Sequence, residues 1–278
     1  MTFFVSHEQI YKMLKGLGGY PGAMDLGLAL RGPGGHVEED VVEFCRRRLG
    51  MEPDERQAEL LRGPVHRTIW NCGRQLGKST MAGVLALHRC LREPGSMVLV
   101  VSPSGRQSRE FLRKVRGMAR QMGFAARGDG DNEISLVLPG GSRIVGIPGR
   151  EGTVRGFSSV NLMILEEAAR IPKALYLATR PMLAATDGDL LMISTPYGKQ
   201  GFLYEAWTMP GERWTKFRVK TEESPRISRE FLKEEKEILG EEFYAQEYEC
   251  VFTETLHGVF DVEALLAAVD PGVKSWEF

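Results

Sequence analysis

Cysteine is scarce in this sequence, and the spacing of its cysteines excludes two classes of protein. The chain has 4 cysteines, and no two of them form a C-x-x-C pair. Structural zinc sites and disulfide-stabilised secreted domains need such pairs or a denser set of cysteines. We therefore expect neither kind of site, and the cysteine content fits a reducing cytoplasm.

Long hydrophobic runs and a strong net charge are also absent. No stretch approaches the roughly 18 apolar residues of a transmembrane helix. The N-terminus lacks the basic and apolar segments of a secretory signal, so we expect no export and no contact with a membrane. The net charge is only −1, which means that nucleic acid would have to bind to a local basic patch.

The remaining composition is ordinary for a globular protein, with 42% hydrophobic and 26% charged residues. From residue 67 onward, strand-like segments alternate with helix-like ones. The predicted strands are 67–71, 97–101, 134–138, 143–147, 160–165, 190–193 and 216–219, and the predicted helices are 6–17, 38–49, 54–61, 79–91 and 106–122. This alternation predicts an α/β fold, in which helices flank a mainly parallel sheet.

A phosphate-binding loop is the strongest motif. Gly77-Lys78-Ser79 follows a predicted strand and opens a predicted helix. In such loops the backbone N–H groups and the lysine bind phosphate, and the hydroxyl reaches Mg²⁺. Cys72 stands where the pattern G-x-x-x-x-G-K-[ST] has its first glycine, so we expect Gly73 to supply the turn. The residues predicted to bind ATP are Cys72, Gly73, Arg74, Gln75, Leu76, Gly77, Lys78, Ser79 and Thr80.

Two adjacent carboxylates follow the strand predicted at 160–165. A nucleoside triphosphatase needs one carboxylate for Mg²⁺ and a second one to orient or deprotonate the attacking water. We assign Glu166 to Mg²⁺, together with Ser79, and Glu167 to the water. Glu166 stands where Asp is usual. The alternative is that both carboxylates simply begin a helix, where negative charge is favourable.

Other candidates lie around the same predicted edge of the sheet. Cys72, Glu166 and Ser194 all stand at strand ends, and ligands of parallel sheets bind beyond the carboxyl ends of the strands. The hydroxyls of the segment Ser194-Thr195-Pro196 could sense the γ-phosphate, or the segment could be a turn that ends the strand. The amide of Gln57 could read the adenine edge, or Gln57 could be a solvated helix residue.

Arginines supply the last candidates. Arg155, beside Gly156, could act as an arginine finger on the ATP of a neighbouring subunit, and Arg74 is the second candidate. Either could equally be a surface arginine. Arginines also recur at steps of three and four along one predicted helix, opposite an apolar face: Arg106, Arg109, Arg113, Arg116 and Arg120. This arginine stripe could contact DNA phosphates, line a subunit contact or be a solvated face.

As a set, these motifs resemble a known family. The chain is similar to the ATPase domain of the large terminase subunit, the packaging motor of tailed double-stranded DNA bacteriophages. The resemblance lies in residues 73–80, in Arg155-Gly156 before residues 163–169, in residues 194–198 and in residues 243–252. It covers about residues 50–260 and implies a P-loop ATPase of the ASCE, RecA-like type.

The resemblance implies a division of the chain and a set of partners. We expect an N-terminal arm with helices (1–50), an ATPase core (51–200), a small lid subdomain (201–260) and the start of a linker (261–278). The implied partners are double-stranded DNA, the portal protein, the small terminase subunit and further copies of the chain. These copies would form a ring on the portal, usually a pentamer, in the cytoplasm of the host.

The family also implies a mechanism, in which Lys78, Glu167 and Arg155 carry catalysis and residues 194–196 couple hydrolysis to movement. Too few residues follow Phe252 for the family's nuclease domain, so we expect no DNA cleavage by this chain. Two alternatives stay open. One is a helicase-like ATPase, although the sequence has one phosphate loop where helicases of that class have two RecA-like domains. The other is a non-catalytic ring scaffold, in which Glu167 would have no purpose.

Overall fold

The computed structural model describes residues 39–131, 134–149 and 156–254. Seven strands lie within these ranges: β1 (Thr68–Cys72), β2 (Met97–Ser102), β3 (Ser135–Val137), β4 (Arg143–Pro148), β5 (Leu162–Glu166), β6 (Asp189–Ser194) and β7 (Thr215–Val219). They form one sheet in the order β3-β4-β2-β5-β6-β1-β7. Every neighbouring pair is parallel except β3 with β4. The predicted α/β fold with a mainly parallel sheet is therefore confirmed.

The helices of the described residues are α1 (Val41–Leu49), α2 (Glu55–Arg62), α3 (Lys78–Arg92), α4 (Gly105–Gln121), α5 (Lys173–Thr179), α6 (Gly201–Thr208), α7 (Arg229–Leu239) and α8 (Glu241–Glu249). Aspartates cap the first two: Asp40 accepts from the N–H of Val42, and Asp54 forms a capping box with Gln57. The helix predicted at 6–17 lies outside the described residues. Among those that are described, no helix combines the length and apolar character needed to cross a bilayer.

The sheet is covered on both faces, which explains why β1, β2 and β5 are buried at every position. Successive side chains of a strand point to opposite faces. Val98 and Val100 of β2 accordingly pack in one apolar cluster with residues of α1 to α4, whereas Leu99 and Val101 pack in a second cluster with residues of α5 and α6. A sheet held between two helical layers gives a fixed edge on which loops can be placed.

The last strand lies within the range that we predicted as the lid subdomain, 201–260. β7 pairs with β1 in parallel, with Val219 beside Cys72, and Phe202 of α6 packs in the same cluster as Met163 of β5. The sheet therefore extends past residue 200, where we predicted the core to end. Beyond β7, α7 and α8 pack through a small apolar cluster of their own, formed by Leu232, Tyr244 and Tyr248 with their neighbours.

His88 is a partly buried titratable group of α3. Its Nε2 lies 2.8 Å from the carbonyl oxygen of Glu39, which can only accept, so Nε2 donates. The ring packs edge-on against Phe44. Burial lowers the pKa of His88 below its ordinary value of 6.5, against a smaller opposing effect of the hydrogen bond to Glu39. The unfolded chain consequently binds the proton at higher pH than the folded one, and stability is lost as the pH falls below about 6.5.

We expect His88→Gln to reduce the loss of unfolding free energy between about pH 7.5 and 5.5, because glutamine has no proton to take up in the unfolded state. Urea denaturation of wild type and variant across this pH range measures the effect. His66→Gln, at a half-exposed position, controls for the loss of an imidazole. An equal change in the His66 variant would contradict the attribution to burial.

Candidate active site

Three neighbouring strands end at one edge of the sheet. Ser194 of β6 pairs with Asn71 of β1, and β5 lies on the other side of β6. Because the three strands are parallel, their carboxyl ends open onto the same edge, where ligands of α/β proteins bind. The loop after β1 leads to Lys78 at the start of α3, and the turn after β5 carries Glu167. The structure thus brings together the side chains that we predicted to surround one triphosphate.

Residues 73–77 form the loop between β1 and α3. The backbone turns at Gln75 and Gly77, which have φ angles of 61° and 75°, and not at Gly73, where we predicted the turn. Lys78 is the first residue of α3, so the loop leads directly into a helix N-terminus. The N–H groups of such a terminus have no partner within the helix and bind anions readily.

Gly73 is needed for close packing instead. Its N–H donates to the carbonyl of Val219, at 2.9 Å. A Cβ at this position would clash with Oγ1 of Thr221 and lie 2.9 Å from the carbonyl oxygen of Tyr248. Cys72 is the buried last residue of β1, and burial raises the pKa of its thiol, so the side chain stays a neutral part of the core. The first glycine of the usual pattern is therefore replaced by a strand residue.

Lys78 and Glu167 form an ion pair, in which Nζ lies 3.3 Å from Oε1 and both side chains are mostly buried. Glu167 has left-handed backbone angles, φ 52° and ψ 48°, which cost a non-glycine residue on the order of 1–3 kcal/mol. Two hydrogen bonds hold this turn: Arg170 N–H donates to the Glu167 carbonyl at 2.8 Å, and Ala169 N–H donates to Ser194 Oγ at 3.2 Å. The strained turn keeps a carboxylate beside the phosphate-loop lysine.

Glu166 is only 7% exposed. Its carboxylate accepts a hydrogen bond from the hydroxyl of Ser102, at 3.1 Å. Burial raises the pKa of Glu166, and the hydroxyls of Ser79 and Ser102 offset part of the effect. Mg²⁺ prefers hard oxygen ligands. The carboxylate of Glu166 and the hydroxyl of Ser79 are oxygen ligands of this kind, and a cation would offset the cost of burying the carboxylate's charge. The predicted pair of ligands therefore fits Mg²⁺.

Gln57 lies against the phosphate loop and is not a solvated helix residue. It is 6% exposed, and its Nε2 donates to the carbonyl of Leu76 at 2.9 Å. Its Oε1 accepts from the N–H of Asp54. Arg226 reaches the same Leu76 carbonyl at 3.2 Å and the carboxylate of Asp54 at 3.2 Å. Gln57 therefore anchors the loop, and its contact with adenine stays a prediction.

Residues 194–198 connect the site to α8. Ser194 is fully buried, and besides accepting from Ala169 N–H it donates to the carbonyl of Thr195 at 2.6 Å. Pro196 follows, and the N–H of Gly198 donates to Oε1 of Gln246 at 3.0 Å. The segment is thus hydrogen-bonded to the turn after β5 and to α8. Its role in coupling hydrolysis to movement stays a prediction.

Two charged residues of the site, Glu247 and Arg170, were not predicted from the sequence. Arg74 donates through Nε to Oε2 of the fully buried Glu247, at 2.7 Å. Arg170 lies 3.6 Å from the other oxygen of Glu247 and 3.7 Å from Oε2 of Glu167. With the Lys78 pair, these contacts form a continuous chain of five charged side chains. Glu247 is 173 residues from Arg74, and only the family-like segment 243–252 pointed to its neighbourhood.

Two predictions on other arginines have different outcomes. Arg155 lies outside the described residues, so its role as a finger stays a prediction. Most of the predicted arginine stripe lies on the exposed face of α4: Arg106, Arg109, Arg113 and Arg120. Arg116 does not belong to this exposed face. It is partly buried and donates to the carbonyl of Ser135 at 2.7 Å, because β3 runs beside α4.

Comparisons of the sequence identify a family. The family model "Terminase large subunit, T4likevirus-type, N-terminal" matches residues 69–267. The large terminase subunit of Escherichia phage T5 is 26% identical over 224 residues, which cover 76% of this chain and 50% of that protein. The large terminase subunit of Thermus virus P23-45 is 29% identical over 181 residues, covering 58% and 37%. The chain spans half or less of the length of these relatives.

Solved structures share the fold. The Thermus phage P74-26 large terminase ATPase domain superposes with a TM-score of 0.66 at 24% identity, over 75% of this chain and 97% of that one. The large terminase of bacteriophage HK97 gives 0.58 at 15% identity, over 78% and 49%. The large terminase of a thermophilic bacteriophage, solved with ATP-γ-S, gives 0.58 at 12% identity, over 77% and 51%.

We expect Gly73→Ala to lower the free energy of unfolding by about 1–3 kcal/mol, because the added methyl group overpacks a closed contact. Urea denaturation measures this. Gly117→Ala is the matched control, since a Cβ there meets nothing within 4 Å; in the exposed face of α4 it should stabilise by about 0.5–1 kcal/mol. Equal effects of the two substitutions would contradict the packing role of Gly73.

Proposed function

The chain belongs to the family of T4-like terminase large subunits, whose N-terminal part it matches, and we propose that it hydrolyses ATP to drive double-stranded viral DNA into a procapsid. The main observation is the pair formed by Lys78 and Glu167, a phosphate-loop lysine held 3.3 Å from a carboxylate on a neighbouring turn. Two supports come from relatives: the T5 protein is a large terminase subunit, and the terminase of the thermophilic bacteriophage binds ATP-γ-S.

In the proposed mechanism, Lys78 and the N–H groups at the start of α3 bind the phosphates of ATP. Gln57 lies beside the same loop, and its reading of the adenine edge is part of the proposal. Ser79 and Glu166 would hold Mg²⁺, which when bound neutralises the charge on the phosphate oxygens. Glu167 orients the attacking water and accepts its proton.

Arg155 of a neighbouring copy supplies the positive charge that the transition state needs. Hydrolysis is then transmitted through the turn at Glu167, because Ala169 in that turn is hydrogen-bonded to Ser194. The working assembly that we propose is a ring of copies, usually a pentamer, docked on the portal protein and supplied with DNA by the small terminase subunit. This assembly would act in the host cytoplasm.

The exposed arginines of α4 are the surface that we propose for DNA. Arg106 and Arg120 are separated by fourteen residues of helix, or about 21 Å at 1.5 Å per residue. One strand of DNA places a phosphate about every 3.4 Å along the duplex axis, so the stripe can contact several phosphates without reading bases. Such contacts suit a motor that has to move along any sequence.

The ATPase proposal makes a complementation test possible. Arg155→Ala chains lack the finger and Glu167→Ala chains lack the residue for water, so each alone should hydrolyse ATP about 10³-fold more slowly than wild type or worse. An equimolar mixture should regain about a quarter of the wild-type rate, because one in four random interfaces joins an intact Glu167 to an intact Arg155. A phosphate-release assay at several protein concentrations measures these rates.

Two control variants accompany this test, and three outcomes would count against the proposal. Lys78→Ala should abolish ATP binding, whereas Lys233→Ala, exposed on α7, should not change it. Full activity of wild type as a dilute monomer would contradict a finger that acts between subunits. If the wild type does not hydrolyse ATP even with DNA and the portal protein, the ATPase proposal is wrong and the non-catalytic ring scaffold remains. Separation of DNA strands by the wild type would favour the helicase-like alternative.

For the DNA surface, we expect Arg106→Ala combined with Arg120→Ala to weaken duplex binding equally for unrelated sequences. Each phosphate contact that is lost should reduce the slope of log affinity against log salt by about 0.9. Fluorescence anisotropy over a salt series measures this slope. Lys233→Ala serves again as the control for loss of a surface cation, and an unchanged slope in the double variant would contradict the assignment.

A further inference from the structure

Arg170 lies between Glu167 and two groups that belong to other parts of the chain. Its Nη1 is 3.7 Å from Oε2 of Glu167, and its Nη2 is 3.6 Å from Oε1 of Glu247. Its guanidinium also lies over the ring of Tyr197, 4.5 Å from the ring centroid. One side chain thus contacts the turn after β5, the segment after β6, and α8.

The backbone, and not the rotamer alone, places Arg170 beside Glu167. Residues Ala168–Arg170 form a single 3₁₀ turn that starts from the left-handed Glu167. The N–H of Arg170 closes this turn on the carbonyl of Glu167, at 2.8 Å. Side chains three residues apart in a 3₁₀ turn stand one above the other. The planar guanidinium can then stack on an aromatic ring and pair with carboxylates at its edge, which a lysine cannot do.

The two oxygens of Glu167 have different partners. Oε1 pairs with Lys78 at 3.3 Å, whereas Oε2 is buried and has no hydrogen-bond partner among the described residues, so that Arg170 is the cation it faces. If Lys78 binds the phosphates of ATP, its ammonium has to leave Oε1 or share its charge. Arg170 would then remain the partner of Glu167 while ATP is bound. This is the step in which the orientation of the Glu167 carboxylate toward the attacking water matters.

We propose that Arg170 is a positioning residue, which holds the carboxylate of Glu167 in place while ATP is bound and connects it to Tyr197. The inference depends on the proposed ATPase function and adds to it a residue that touches neither nucleotide nor water. Its effect is on orientation, since misplacing a reacting group by about 1 Å can cost on the order of 100-fold in rate. Through Tyr197, any movement of the carboxylate also reaches the segment after β6.

The test separates turnover from binding in the 278-residue chain with duplex DNA and ATP. Arg170→Ala should lower kcat about 10- to 100-fold and leave the dissociation constant of fluorescent mant-ATP-γ-S unchanged. Arg170→Lys should recover part of kcat, because it returns the positive charge next to Glu167. Arg180→Ala is the matched control, since Arg180 also lies over a tyrosine ring, that of Tyr176, and should leave kcat unchanged.

Two further variants distinguish positioning from a structural role. Tyr197→Phe keeps the ring under the guanidinium and should retain kcat, whereas Tyr197→Ala should lower it. In a Glu167→Gln background, Arg170→Ala should add no further loss of single-turnover rate, because the carboxylate that it positions is already gone. If Arg170→Ala fails to fold, Arg170→Lys and Tyr197→Ala decide by the same measurements.

Three outcomes overturn the inference: an unchanged kcat in Arg170→Ala, a parallel loss of ATP affinity, or an additional loss in the Glu167→Gln background. In each of these cases wild-type turnover stands, and the proposed function with it. Absence of wild-type turnover would instead overturn the proposed function, and this inference would fall with it.

Discussion

The ion pair between Lys78 and Glu167 can form because only one strand, β6, lies between β1 and β5. These two strands lead to Lys78 and Glu167. Neighbouring strands lie about 4.8 Å apart, so β1 and β5 are about 10 Å apart, a gap that a lysine and a glutamate side chain can close together. All three strands are parallel and end at the same level. The chemistry at this edge therefore depends on the order and direction of strands far more than on either loop alone.

The turns around this ion pair have unusual backbone angles. Glu167 and Gln75 both have positive φ without being glycine, a conformation that such residues hold only when their surroundings impose it. Around Glu167 the imposing contacts are the Ser194 hydroxyl and the closing N–H of Arg170. Around the loop they are Gln57 and the packing of Gly73 against Thr221. Two of the six non-glycine residues with positive φ in the described part of the chain thus lie in the loop before Lys78 and at Glu167 itself.

Glu247 joins α8 to this arrangement at an energetic cost. Burying a carboxylate is unfavourable, and pairing it with arginines recovers the loss only in part. Two arginines pair with the Glu247 carboxylate, Arg74 from the phosphate loop and Arg170 from the turn after β5. The backbone N–H of Arg74 also donates to the carbonyl oxygen of Glu247. A buried ion pair of this kind fixes geometry better than it adds stability. These contacts consequently hold α8 against the phosphate loop.

The strands and the phosphate loop could be predicted from the sequence because each depends on a local pattern of residues. Apolar β-branched runs such as Met97–Ser102 and the Gly-Lys-Ser turn indicate strands and a phosphate loop without any knowledge of distant contacts. Arg116, Gly73 and Glu247 could not be assigned in this way, because their roles come from β3, Thr221 and Arg74, which meet them only in the folded chain. Arg170 is a similar case, since its importance depends on a turn geometry that no spacing rule reveals.

Glu166 shows how such long-range contacts can compensate for a change in a motif. With one methylene more than Asp, Glu166 accepts a hydrogen bond from the hydroxyl of Ser102 on β2, and the hydroxyl of Ser79 on α3 also lowers the pKa of its carboxylate. A hydrogen-bonded carboxylate on a longer side chain is positioned nearly as well as one on a shorter side chain, because hydrogen bonding restricts its rotamers. Burial and the neighbouring Glu167 raise the pKa of Glu166, so a divalent cation beside it would favour the charged form. Glu in this position is therefore compatible with the role of Mg²⁺ ligand that we propose for it.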